Sequence, residues 1–198
     1  MRAAPASQPE GFFLSLQRHN GPAARDRRSR VRAFLRCTIA AAVLTAGAAA
    51  PAQPAYSLIA RPAPDFTLHA AAGGNVRLSE HKGEVVVLSF WGSGCGTCAR
   101  QLAALDRSLA TYRSAGLEVY GVSVDDEPAR AEAYARTTRL GFPMLLDPGK
   151  TVGRAYQVDN LPMTVLIDRG GTVRNVLRDF SDKTEGVYLE QLKVLLNE

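Results

Sequence analysis

Cysteine, histidine and tryptophan are scarce in this 198-residue chain, which holds three cysteines, three histidines and one tryptophan. So few cysteines exclude a disulfide-stapled scaffold. His69 and His81 stand in unrelated segments with no partner spacing, so a zinc set cannot be completed around Cys95 and Cys98, and no metal site is expected. A cationic surplus is also missing from most of the chain. Residues 1–55 hold 8 of the 24 Lys and Arg and 2 of the 19 Asp and Glu, whereas residues 56–198 hold 16 against 17. Phosphate binding needs clustered cations on the folded domain, so nucleic acid is excluded as a partner. Nor does any apolar run reach the roughly 20 residues of a typical bilayer-spanning helix.

What the head of the chain does contain is a basic stretch, Arg25, Arg27, Arg28, Arg30, Arg32 and Arg36, followed by the apolar run Cys37 to Ala50. That order and length read as an export signal, with an uncleaved amino-terminal anchor as the alternative. Ala50-Pro51-Ala52 offers small residues for cleavage near Gln53. Cys37 would leave with the signal, so the exported chain keeps only Cys95 and Cys98. The expected organisation is a disordered head and signal at 1–52, a Pro/Ala linker at 53–62 and one compact domain at 63–198, working as a monomer.

Within the domain, Pro64 to Leu68 starts an extended segment, Gly73-Gly74-Asn75 turns it, and Val76 to Leu78 returns. Val85-Val86-Val87-Leu88-Ser89-Phe90-Trp91 is the pattern of a strand buried on both faces. Leu102, Leu105, Leu109 and Tyr112 recur at helical spacing, so a helix opens near Cys95 and closes before Gly116. Leu117–Val124 reads as a strand and Pro128–Leu140 as a helix, followed by a strand at Phe142–Leu146 and a short helix at Thr151–Tyr156. Met163–Ile167 and Thr172–Leu177 form a hairpin over Asp168-Arg169-Gly170-Gly171, and a last helix carries Leu189, Leu192 and Leu196. The fold class is α/β.

Cys95-Gly96-Thr97-Cys98 therefore lies between a buried strand and an amphipathic helix. Thiol-disulfide exchange needs one thiolate to attack and a second sulfur near enough to resolve the mixed disulfide. A helix amino terminus favours the Cys95 thiolate, and Cys98 lies one turn inward, so Cys95 is the expected nucleophile and Cys98 the resolving thiol. A purely structural bridge is a poor alternative, because so small a loop constrains the unfolded chain little. The pair would serve as its own redox centre, a reversible Cys95–Cys98 disulfide with no further cofactor.

The segment Phe90 to Cys98, with Leu161-Pro162-Met163-Thr164, resembles the TlpA/ResA-like branch of the thioredoxin superfamily, a redoxin or AhpC/TSA-like domain, over roughly Ala63 to Asn197. The resemblance implies a thioredoxin-like fold: a central mixed β-sheet flanked by helices, with an N-terminal strand extension and a central β-α insertion at Leu117–Pro148. It implies a cis peptide bond at Pro162 facing the dithiol, with Leu161 and Gly94 touching an extended substrate and Trp91, Thr97 and Gln101 supporting the cysteines. Three of these depart from the family pattern. Gly94 stands where Trp is usual, Thr97 where Pro is frequent, and Gln101 where a buried Glu manages the resolving thiol's proton. Ser89 likewise replaces the buried Asp of many thioredoxins.

The activity implied is protein-disulfide reduction in the periplasm or on the outer face of the cytoplasmic membrane. Its partners would be disulfide-containing exported proteins, as in cytochrome c maturation, and a membrane electron donor, with membrane contact only through an N-terminal anchor. Two other functions compete. A redoxin-type thiol peroxidase would resemble Pro-x-x-x-Thr-x-x-Cys at its site, and no proline lies near Cys95. A non-catalytic peptide-binding or chaperone module on the same fold is the other.

Overall fold

The computed structural model describes residues 56–198, and the export-signal reading, Cys37 and the cleavage region near Gln53 lie outside them. Seven strands make one mixed sheet: β1 (Thr67–Ala70), β2 (Asn75–Arg77), β3 (Val85–Trp91), β4 (Leu117–Ser123), β5 (Met144–Leu146), β6 (Met163–Ile167) and β7 (Val173–Leu177). Their spatial order is β2-β1-β5-β4-β3-β6-β7. Strands β3, β4 and β5 run parallel, and the outer pairings are antiparallel. The helices are α1 (Cys98–Tyr112), α2 (Pro128–Thr138), α3 (Thr151–Ala155) and α4 (Asp182–Leu196). Among the described residues no helix is long and apolar enough to cross a membrane.

Every residue of β3 is buried, as expected of a β-branched and apolar run interrupted only by Ser89. Because successive side chains face opposite ways, Val85, Val87 and Trp91 join one core with Leu102, Leu105 and Leu109 of α1 and Tyr188 and Leu192 of α4. Val86, Leu88 and Phe90 join a second core with Val152, Tyr156, Met163 and Val165. The segment Leu117–Pro148 supplies β4, α2 and β5. Helix α1 gives way to a short 3-10 turn at Arg113–Ala115, and Gly116 closes it at φ 86°, a left-handed conformation that a side chain would resist.

Element boundaries moved where backbone chemistry intervened. Leu78 leaves the strand and opens a short 3-10 helix, Leu78–His81, inside what reads as a polar connection. Strand β5 starts at Met144 because Pro143 has no N–H to donate; its carbonyl instead accepts from the Gly121 N–H at 3.1 Å.

The described part of the 53–62 linker, from Tyr56 onward, is packed onto the domain. Tyr56 is buried and its hydroxyl donates to the Tyr156 carbonyl, while the Arg178 guanidinium lies 5.2 Å over its ring. Ala60 N–H donates to Val173 O at 2.8 Å and Val173 N–H to Arg61 O at 2.9 Å, so the segment pairs with the exposed edge of β7. The Tyr156 hydroxyl in turn donates to Pro64 O at 2.8 Å. A Pro/Ala composition suggested a spacer, but one aromatic anchor and edge pairing override it. Tyr56→Ala is expected to lower the unfolding free energy by about 3 kcal/mol, since it deletes a buried ring. Urea denaturation checks this, and a loss below about 0.5 kcal/mol, typical of a surface site, would return the segment to linker status.

Candidate active site

The buried strand β3 ends at Trp91; the next six residues form a turn that carries Cys95, and Cys98 follows as the first residue of helix α1. Cys95 N–H donates to Gly92 O at 3.0 Å and Cys98 N–H to Cys95 O at 3.3 Å, so two tight turns precede the helix. Helix α1 begins at Cys98 with Thr97 as its amino-terminal cap residue. The nucleophile expected at the helix start therefore sits just outside it, facing the helix end from the preceding turn. Cys95 and Cys98 are joined as a disulfide, with Cα atoms 5.4 Å apart. Their environments differ sharply. Cys98 is 1% exposed within the apolar core, whereas Cys95 is half-buried and lines an open cleft. Thr97 Oγ1 lies 3.8 Å from Cys95 Sγ.

Behind Cys98 lies a buried polar bridge. The antiparallel register of β3 and β6 sets Ser89 opposite Thr164, and Gln101 of α1 reaches both. Ser89 Oγ donates to Gln101 Oε1 at 2.8 Å, and Gln101 Nε2 donates to Thr164 Oγ1. All three side chains are buried. The amide uses its acceptor and one donor against two hydroxyls, so the set holds together with no charge. Trp91 is buried on the other side of the turn, its ring 4.7 Å from Tyr134, and its indole N–H has no acceptor among the described residues.

The Leu161-Pro162 peptide bond is cis. Leu161 lines the cleft with Cys95, whereas Pro162 is buried behind it and is not on the cleft surface. At Gly92 a Cβ would sit 3.2 Å from Leu161 Cδ1, so the cysteine turn and this loop approach too closely for a larger residue to fit without displacement. Gly94 is exposed, lines the cleft and has open space where a side chain would point. The cleft holds about 980 Å³, and its far wall is built by residues 124–130 and 150–160.

A fixed strand end, an open half-buried sulfur and a buried partner sulfur form an arrangement that exchanges disulfides. The model of the AhpC/TSA family matches residues 59–176, more than half of the chain. The chain belongs to the AhpC/TSA family. It is also 34% identical over 132 residues to the thiol-disulfide oxidoreductase ResA of Geobacillus kaustophilus, an alignment covering 66% of this chain and 76% of that one. Among solved structures, a Chlorobium tepidum protein assigned as the thiol:disulfide interchange protein DsbE matches at a TM-score of 0.66 and 31% identity, covering 68% of this chain and 95% of its own. The exposed lipoprotein thioredoxin of Streptococcus pneumoniae matches at 0.60 and 27%, covering 67% and 100%. This AhpC/TSA member has a thioredoxin-like fold and is a thiol-disulfide oxidoreductase.

Sequence reasoning passed over Asp125. Its carboxylate accepts from Ser93 N–H at 3.0 Å, from Ser93 Oγ at 2.9 Å and from Ser123 Oγ at 2.9 Å, tying the cysteine turn to the end of β4. A signal was available: in parallel sheets, functional groups gather beyond the carboxyl ends of neighbouring strands, and Asp125 follows the strand beside β3. His69 and His81 stay apart, His69 bonding Asn75 and His81 contacting Tyr120 and Glu84. Among the described residues no three His, Cys, Asp or Glu side chains gather as metal ligands.

Gln101→Glu tests the neutral bridge. Burial would hold the new carboxyl above its ordinary value near 4.3. The variant should then match the wild type most closely below about pH 4, where the group is protonated whether folded or unfolded. Its deficit should grow as pH rises through the folded value, reaching about 2 kcal/mol. Urea midpoints of both proteins at pH 4 and pH 8 check this; an equal deficit at both would mean that the site is open to water.

Proposed function

We propose that this oxidoreductase reduces disulfides of exported proteins, with Cys95 as nucleophile and Cys98 as resolving thiol. The observation that carries the reading is the asymmetry of the pair: Cys95 half-buried at an open cleft, Cys98 enclosed in the core. The Cys95 thiolate attacks one sulfur of a substrate disulfide, forming a mixed disulfide and expelling a substrate thiolate. Cys98 loses its proton and attacks Cys95 Sγ, forming the Cys95–Cys98 bond and expelling the second substrate thiolate. The substrate gains two electrons and two protons in all.

The setting of the pair supports that direction. Strongly oxidising dithiols owe their potential to a stabilised reduced form, above all a stabilised thiolate. Here Cys98 lies among apolar side chains one helical turn from neutral Gln101, surroundings that favour a protonated thiol over a thiolate. Withholding thiolate stabilisation from Cys98 destabilises the reduced form and so favours donation of electrons by the pair. Leu161 offers the cleft an apolar contact and its loop backbone for an extended peptide, Pro162 fixes that loop, and Gly94 leaves the rim open. Trp91, Thr97 and Gln101 support the dithiol from behind.

The basic head and apolar run at Arg25–Ala50 support export to the periplasm or the outer face of the cytoplasmic membrane, by a cleaved signal or as an N-terminal anchor. Apocytochrome c is a substrate of the right chemistry, with a membrane donor restoring the dithiol. No cofactor beyond the Cys95–Cys98 disulfide is required by this route.

Cells producing Cys98→Ser should accumulate mixed disulfides between Cys95 and exported proteins, identified by mass spectrometry after trapping of free thiols. Cys95→Ser should form none and lose all turnover. Turnover retained by Cys95→Ser would contradict the assignment.

A further inference from the structure

The cleft beside Cys95 is lined by charged side chains, most of them already engaged. Asp126 pairs with Lys150 at 2.8 Å, Asp159 with Arg178 at 3.1 Å, and Arg154 donates to the Gly149 carbonyl at 2.7 Å. Glu127 and Arg130 stand at the exposed start of α2. Asp125 is held differently: it forms no ion pair among the described residues, yet its carboxylate is fixed by hydrogen bonds, all of them from the neutral donors of Ser93 and Ser123. Two of those donors belong to Ser93, two positions before the reactive cysteine. Its Oδ1 would lie 3.6 Å from a Cβ at Gly92, the residue whose carbonyl holds Cys95 N–H.

We propose that Asp125 is a positioning residue for the exchange reaction, anchoring the Gly92–Cys95 turn and setting an uncompensated negative charge at the cleft that opposes the Cys95 thiolate and keeps the couple reducing. The inference rests on the exchange reading above. A fixed carboxylate disfavours a second negative charge nearby. Disfavouring the thiolate destabilises the reduced form and shifts the dithiol–disulfide equilibrium toward the disulfide, so electrons leave the protein more readily. Ser93 and Ser123 hold the carboxylate in place without neutralising it. The helix end facing Cys95 pulls the opposite way, and Asp125 offsets it.

Asp125→Asn removes the charge and keeps an oxygen acceptor for Ser93; Asp125→Ser is the second charge-free variant should the first fold poorly. Ser93→Ala removes one hydrogen bond and keeps the charge. The full-length proteins are equilibrated with reduced and oxidised glutathione, and in parallel the alkylation rate of reduced Cys95 is followed against pH. Either charge-free variant should lower the alkylation midpoint by about half a pH unit or more. Either should also shift the equilibrium with glutathione three- to tenfold toward the dithiol, at most about 30 mV upward. Ser93→Ala should slow exchange and leave both quantities in place. Slowed exchange in the charge-free variants with unmoved midpoint and potential would overturn the charge role and leave Asp125 a structural clamp. A wild-type protein with no reversible couple would instead overturn the exchange reading, whatever the variants did.

Discussion

Strand β3 is buried on both faces along its whole length, and the rest of the molecule is arranged around that burial. Two apolar cores, one beneath α1 and α4 and one against α3 and the Tyr56 segment, clamp its alternate side chains. Six of its seven enclosed residues are aliphatic or aromatic and make large hydrophobic contributions, each roughly 1.5–3 kcal/mol for a fully buried side chain. A strand held this way cannot shift its register without turning both faces inside out. Its carboxyl end is therefore a fixed platform, and the dithiol turn starts one residue beyond it.

Burial also dictates the chemistry behind the dithiol. Ser89 sits in the middle of β3 with no water to solvate it, so its hydroxyl must find a partner inside the protein. Gln101 and Thr164 complete that requirement with neutral groups. A carboxylate at either position would carry a desolvation cost and would also supply a proton acceptor near Cys98. Behind Cys98 the quieter solution is found: Ser89, Gln101 and Thr164 form an uncharged support with no carboxylate among them. Charge control falls instead to the cleft side, where Asp125 meets the turn from β4. The two cysteines are thus governed by opposite surroundings, an apolar neutral one for Cys98 and a polar, open one for Cys95.

Much of this was legible in the residues. A seven-residue β-branched and apolar run has no structural meaning other than a central strand or a buried helix segment, and the glycines after it favour the strand. Leucines at three- and four-residue steps placed α1, and Gly116 ended it. Leu161-Pro162 was recognisable through resemblance rather than through any local rule, since nothing in composition marks a cis bond. Hydrogen bonds from one side chain to a distant turn were not legible. Asp125 looks like any acidic residue after a strand, and only the parallel pairing of β3 and β4 brings it to Ser93. Tyr56 was hidden by its neighbours, because Pro and Ala describe a spacer equally well whether or not an aromatic anchor lies among them. Cys95 fell outside the helix because helix boundaries depend on hydrogen-bond geometry that periodicity does not resolve.

Disulfide reduction by this protein requires Cys95 and Cys98 to form a reversible, reducing couple. The direct measurement is an equilibrium titration of the full-length wild-type protein in graded dithiothreitol redox mixtures, with the alkylation state read by mass. A single reversible two-electron transition near −270 mV, with both sulfurs changing together, is the predicted result. A transition near −120 mV would contradict the reducing role, and no reversible transition would contradict the exchange mechanism itself.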